Sequence, residues 1–196
     1  MQYFEIPNEP FRGSKLPLLF SESQIQSRIG VLGHQISEDL GGSELPPIFI
    51  GVLNGSFYFM ADLLRSMTIE AEMDFLKISS YQKTKSTGTI SMIKDISANI
   101  RNRDIVIVED IIDTGLSMNY LRRHLMNNGP SSVRVATLLY KKDMAELDAE
   151  PDYVGFEIPD RFVVGYGLDI NQCYRQLRDI YAFRPEDLEN IRKEDD

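Results

Sequence analysis

The chain has a single cysteine, Cys173, and two histidines, His34 and His124, among 196 residues. One cysteine cannot form an intrachain disulfide, which fits a reducing compartment. Two histidines leave Cys173 few partner bases, which argues against a cysteine-nucleophile enzyme. No stretch approaches the roughly 18 apolar residues of a membrane helix. The opening MQYFEIPNEP holds Glu5 and Glu9 and lacks the apolar segment of a secretory signal. A cytoplasmic protein that does not engage a membrane is expected. Positive charge is also scarce, with 21 Lys and Arg against 30 Asp and Glu, a net charge of −9. Such a surface repels a phosphate backbone, so general nucleic-acid binding is disfavoured. Any phosphate handled by this chain needs local donors or a divalent cation.

Apolar residues make up 42% and charged residues 26%, an ordinary globular composition. A chain of this length buries about 70% of its unfolded surface and needs no disulfide or metal to fold. It is read as one domain, residues 1–196, with a core over about 18–183 and a charged tail over about 184–196. No repeat or low-complexity segment interrupts it.

Residues 1–20 show no clear period. Ser21 and Gln24 resemble a capping box, and Ile25, Ile29, Leu32, Ile36 and Leu40 form one apolar stripe that stops at Gly41-Gly42. A helix over 21–40 follows, weakened by Gly30 and Gly33. Strand and helix then alternate: a strand over Ile48–Leu53, a turn at Asn54-Gly55 and a helix over Phe57–Met67. A half-wet strand over 69–75 and a polar loop over 79–89 come next. Ile105 to Val108, apolar on both faces, reads as a central strand of a parallel sheet. A helix over Ser117–Asn128 ends at Gly129-Pro130. Further strands are expected at Val133–Tyr140, Tyr153–Phe156, Phe162–Tyr166 and Ile180–Phe183. The alternation predicts an α/β domain.

The chemistry concentrates in IVIVEDIIDTGLS, residues 105–117. An apolar strand runs into Glu109-Asp110, then Asp113-Thr114-Gly115, then a helix. Ligands of open α/β sheets bind at the carboxyl ends of strands. Unpaired N–H groups at a helix start favour an anion, Thr114 and Ser117 add hydroxyls, and Gly115 allows close backbone approach. The acids fit beside a phosphate cradle if they face hydroxyls, a metal or developing positive charge. Spacing alone also allows a solvated acidic turn with Asp113 as an N-cap.

VEDIIDTGLS resembles the phosphoribosyl-pyrophosphate motif of type I phosphoribosyltransferases. GVLNGSFYFMADLL, SSYQKTKSTG, LLYKK and PDYVGFEIPDRFVVGYGLDINQCYRQL are similar, in order, to segments of the hypoxanthine-guanine phosphoribosyltransferases. The resemblance implies a central, mainly parallel twisted sheet flanked by helices, a small hood subdomain and a flexible active-site loop. It implies transfer of ribose 5-phosphate from phosphoribosyl pyrophosphate to a 6-oxopurine, forming IMP or GMP. A preference for xanthine, or a non-catalytic regulator that binds phosphoribosyl pyrophosphate, is the alternative.

By the same resemblance Glu109 and Asp110 meet the ribose hydroxyls and support an oxocarbenium-like cation. Asp113 is the acid/base near purine nitrogen 7, and Asp113, Thr114, Gly115, Leu116 and Ser117 hold the 5-phosphate. Leu53, Asn54 and Gly55 match the pyrophosphate loop, which in the family contains a cis non-proline peptide. Many relatives carry a basic residue where Asn54 stands. Arg175 contacts pyrophosphate, and Asp169 binds Mg²⁺, with Glu109 and Asp110 as further metal candidates. Lys141 reads the purine 6-oxo group, Phe162 stacks on the ring, and Val163 and Asp169 complete the purine pocket. Ile170 replaces an aromatic residue common in the family. Ser80 and Tyr81 belong to the closing loop. A homodimer or homotetramer is implied. On residue type alone, Asn54-Gly55 is also an ordinary turn, Lys141 a solvated strand-end lysine like Lys142, Phe162 a core residue and 79–89 a plain surface loop.

Overall fold

The structure, a computed structural model, describes residues 2–7, 12–81, 89–184 and 187; the side chains of Ser80, Tyr81 and Thr89 are also outside it. Two short strands open the chain, β1 (Tyr3–Glu5) and β2 (Lys15–Phe20). Helix α1 (Glu22–Leu40) begins at Ser21, whose hydroxyl and backbone N–H form a reciprocal capping box with Gln24. There follow β3 (Ile48–Leu53), α2 (Phe57–Ser66), β4 (Glu72–Tyr81), β5 (Thr89–Lys94) and β6 (Asp104–Ile112). The chain continues through α3 (Leu116–Met126), β7 (Ser132–Tyr140), β8 (Tyr153–Glu157), β9 (Val163–Val164) and β10 (Ile180–Ala182).

Six strands form the main sheet in the order β5-β4-β3-β6-β7-β8. All its pairings are parallel except β4 with β5. Because side chains alternate along a strand, β6 serves two cores at once. Val106 and Val108 pack with Ile25, Ile29, Leu32 and Ile36 of α1 and Phe59 and Leu63 of α2. Ile105 and Ile107 face the opposite layer with Met118, Leu121 and Leu125 of α3. Each fully buried aliphatic side chain contributes about 1.5–3 kcal/mol, so both layers are held to the sheet by this strand. The expected mainly parallel α/β sheet flanked by helices is what the chain forms.

Gly33 is a contact residue: a Cβ there would stand 2.0 Å from the Ser66 hydroxyl of α2. The glycine that weakened the helix prediction therefore lets α1 and α2 pack closely.

A second sheet, β1-β2-β10-β9, joins the two ends of the chain. Ile6, Leu16, Val164, Ile170, Tyr174, Tyr181 and Phe183 form its own small core. Strand β2 pairs with β1 nearby and with β10 far along the sequence, and the second pairing leaves no local signal in residues 1–20. Pro17 also lies within β2 and breaks the sequence signal for a strand.

Several boundaries differ from expectation. Strand β4 starts at Glu72, not 69, and continues to Tyr81. Backbone at 79–81 and 89 thus extends the hairpin with β5, paired Ser79 with Ser91 and Tyr81 with Thr89. The expected 79–89 loop is shortened accordingly, and residues 82–88 lie outside the described residues. Strand β6 runs on to Ile112, so Glu109 and Asp110 are strand residues, held by pairing of Glu109 with Thr137. Finally, β9 contains only Val163 and Val164, because Phe162 precedes it and Gly165 leaves the extended conformation at φ +101°. Most of the charged tail, 185–186 and 188–196, is outside the described residues.

Candidate active site

The carboxyl ends of β3, β6 and β7 lie side by side because their pairings are parallel and in register. They deliver Asn54-Gly55, the Glu109–Ser117 segment and Lys141 to one edge of the sheet. The backbone there is tied across strands: Lys141 N–H donates to the Ile112 carbonyl at 3.0 Å.

A cavity of about 250 Å³ opens at this edge. Glu109 and the run from Ile111 to Gly115 line it, with Ser117 and Met118 of α3 and the apolar side chains of Val52 and Ile78. Helix α3 has no side-chain cap: its N-cap is Gly115, at φ +83°. The expected alternative of an Asp113 N-cap is therefore not what forms. An uncapped helix start leaves its first N–H groups available to an anion. The loop before α3 is braced from outside by the Glu146 N–H on the Thr114 carbonyl, 3.0 Å, and the Asn119 amide on the Glu146 carbonyl, 2.8 Å.

Glu109 is buried, at 8% exposure, beside half-buried Asp110. Burial, then the Asp110 charge and a carboxyl–carboxyl hydrogen bond, push Glu109 well above the ordinary carboxylate range. Burial also raises Asp110, against the opposing pull of backbone hydrogen bonds and the Arg175 charge. Two acids held this way are poor hosts to two negative charges and good hosts to hydroxyl hydrogens or a cation.

Lys141 is nearly fully buried, with a side chain 7% exposed. Its ammonium lies 3.1 Å from Asp113 Oδ1 and 2.9 Å from Asp160 Oδ1. Burial pulls its pKa down, but the hydrogen bonds to Asp160 and Asp113 outweigh that and hold it above the usual lysine value. It is not the solvated strand-end lysine that Lys142 is.

The Leu53–Asn54 peptide is cis. The loop after it is stacked between two others: Gly55 packs on the Asp110 carboxylate, and Gly167 packs on the Gly55 carbonyl. Arg175 closes that corner. Its guanidinium donates to the Gly167 carbonyl at 2.6 Å and pairs with Asp169 Oδ1 at 2.6 Å. Asp169 Oδ2 accepts the Gln172 N–H at 2.8 Å.

The chain that carries this site has known relatives. The phosphoribosyl transferase domain family matches residues 21–171. The chain belongs to this family. The hypoxanthine-guanine phosphoribosyltransferase of Mycobacterium tuberculosis is 40% identical over 184 residues, 90% of each chain. That of Bacillus subtilis is 41% identical over 169 residues, 86% of this chain and 93% of its own. The crystal structure of Trypanosoma cruzi hypoxanthine phosphoribosyltransferase superposes with a TM-score of 0.79 at 38% identity, covering 86% of this chain and 96% of that one.

Within this phosphoribosyl transferase fold the second sheet brings the remaining expected residues. Val163 is buried and pairs with Ala182. Phe162 is 40% exposed, with its ring edge-on to Phe183 at 5.4 Å, so one face stays open and it is not simply core. Ile170 packs into the small core of this sheet. The side chains of Ser80 and Tyr81 lie outside the described residues. Sequence reasoning missed Val52, Ile78 and Met118, which read as plain core residues. It also missed Asp160, whose contact with Lys141 is visible only in three dimensions. No helix among the described residues is long and apolar enough to cross a membrane.

Proposed function

We propose that this chain is a purine salvage enzyme that transfers ribose 5-phosphate from phosphoribosyl pyrophosphate to hypoxanthine and guanine, giving IMP or GMP and pyrophosphate. The observation that carries the reading is Lys141, a buried ammonium 3.1 Å from the carboxylate of Asp113, which lines a cavity that ends on an uncapped helix start. Family membership and the named relatives support it.

Asp113 through Ser117 take the 5-phosphate on backbone N–H groups and the Thr114 and Ser117 hydroxyls. Glu109 and Asp110 accept hydrogen bonds from the ribose hydroxyls. As the bond to pyrophosphate breaks, the sugar gains positive charge, and this fixed acidic pair stabilises it without reorganising. Asp113, 53% exposed, takes the proton released as the purine attacks. Lys141 donates to the 6-oxo group, Phe162 offers a ring face, and Val163 and Asp169 border the base. Asn54-Gly55 and Arg175 meet the pyrophosphate.

Among the described residues no group of three or more His, Cys, Asp or Glu side chains encloses a metal. Mg²⁺ commonly takes one or two carboxylates and fills its shell with water and substrate phosphates. The oxygen donors of Asp169, Glu109 and Asp110 fit that habit. When bound, Mg²⁺ would carry part of the pyrophosphate charge, which a chain at −9 otherwise repels. We further propose a cytoplasmic homodimer or homotetramer.

An assay with hypoxanthine, guanine, xanthine and adenine tests the function. Hypoxanthine and guanine should turn over with phosphoribosyl pyrophosphate, and adenine should not. A donor-only ammonium facing the adenine amino group leaves both unpaired, a mismatch that such sites reject by about 10⁴–10⁵-fold. Turnover of adenine alone would remove Lys141 from base recognition.

A further inference from the structure

Asp160 makes the shorter of the two carboxylate contacts on Lys141, 2.9 Å against 3.1 Å for Asp113. It stands in the turn between β8 and β9, two residues before Phe162. The Ile158 N–H donates to the Tyr140 carbonyl at 2.9 Å, which ties the start of this turn to the residue before Lys141. The lysine side chain is 7% exposed and that of Asp160 is 59% exposed. Asp160 therefore reaches a buried ammonium from the solvent side, and Asp113 reaches it from the β6–α3 loop.

An ammonium has three N–H donors and no acceptor. Two carboxylates engage two donors and leave one for a neutral oxygen. With Asp113 as its only counter-ion, the ammonium would close on that carboxylate. The group meant for the ring proton and the donor meant for the base would then satisfy each other. A flexible four-carbon stem has no other restraint at its tip.

We propose that Asp160 is a positioning residue: it holds the Lys141 ammonium between two carboxylates and so directs the remaining N–H to the 6-oxo oxygen of the base. Asp160 then sets how strongly 6-oxo bases are preferred to 6-amino bases. This inference rests on the 6-oxopurine reading of the site.

Calorimetric titration of the full chain with IMP and with AMP tests it, because the two nucleotides differ only in the 6-substituent and the N1 proton that goes with it. Asp160→Asn keeps the size and an acceptor and removes the charge; Asp160→Ala removes both. In each variant IMP should bind about tenfold more weakly, the order expected for loss of one charge-assisted hydrogen bond. AMP affinity and the melting temperature should stay as in the parent chain. Unchanged IMP affinity, or equal weakening of IMP and AMP, would overturn the positioning role while the 6-oxopurine reading stood. A parent chain that bound IMP no better than AMP would overturn that reading, and this inference with it.

Discussion

Gly55 rests directly on the carboxylate of Asp110: a Cβ on Gly55 would stand 1.5 Å from Asp110 Oδ2. On its other side, a Cβ on Gly167 would stand 2.1 Å from the Gly55 carbonyl. The backbone of the β3 loop thus fixes one of the two acids on β6, and the 165–168 turn fixes that loop. Gly55→Ala must displace either Asp110 or the loop. Since small misplacements of reacting groups cost about 10²-fold, kcat/KM should fall by at least that much. Circular dichroism should remain that of the parent chain, because the contact lies at the sheet edge, outside both helix–sheet cores. Parent-like kinetics would show that the contact does not position Asp110.

Part of this site was legible in sequence and part was not. The β6 segment was legible because its signals are local. Four β-branched residues specify a buried strand, and acids, threonine and glycine specify a strand-end loop. Even so, the apolar run gave no sign that pairing with β7 would carry the strand past Glu109 and Asp110 to Ile112. Lys141 looks like Lys142 in sequence, and only the fold buries one and leaves the other exposed. The Gly55–Asp110 and Lys141–Asp160 contacts join segments far apart along the chain. Nothing in the local pattern of either partner encodes them. Strand β2 was hidden in part for the same reason, through its pairing with β10.

Asp113 is half exposed, and its buried partner Lys141 retains Asp160, so its loss should spare the fold. Asp113→Asn keeps the shape and removes the base. Proton transfer by a positioned side chain contributes about 10²–10⁴-fold, and kcat should fall within that range. Lys141 would keep its hydrogen bond to Asp160, so IMP should still bind. Steady-state kinetics beside IMP titration separates the two effects. Near-parental kcat would exclude Asp113 as the proton acceptor.

Gly115 sits at φ +83°, and a Cβ there would stand 2.8 Å from both the Glu146 carbonyl and a Leu147 methyl. Its left-handed backbone costs an L-residue about 1–2 kcal/mol before the clash is counted. Gly115→Ala should therefore lower the melting temperature by at least roughly 2–4 °C. It should also raise the KM for phosphoribosyl pyrophosphate more than the KM for the base, since the same residue opens the helix proposed to meet the 5-phosphate. Equal changes in both constants would argue against a phosphate role for this loop.

The acidic pair should also govern how stability depends on pH. Between the ordinary carboxylate range and its own raised pKa, Glu109 keeps its proton when folded and loses it when unfolded. The folded chain binds more protons in that window, so stability falls as pH rises through it. Asp74 and Asp104 act in the opposite sense. Burial opposes ionisation of Asp74, but the N–H groups of Phe75, Ala98 and Ser97 outweigh it. The Ser132 hydroxyl leads the interactions that depress Asp104. Their stabilisation is present above the ordinary carboxylate range and disappears as pH falls through their lowered pKa values. The acidic pair should therefore cost the ligand-free chain stability as pH rises above the ordinary carboxylate range. Glu109→Gln removes the ionisation that weakens it. At pH 7.5, above the ordinary carboxylate range, the variant should melt higher than its parent, while turnover drops. At about pH 4 the difference should be much smaller, because the unfolded Glu109 then also keeps its proton in large part. Urea denaturation at the two pH values measures the difference directly. A variant no more stable than its parent at the higher pH would mean that Glu109 and Asp110 coexist as anions without cost.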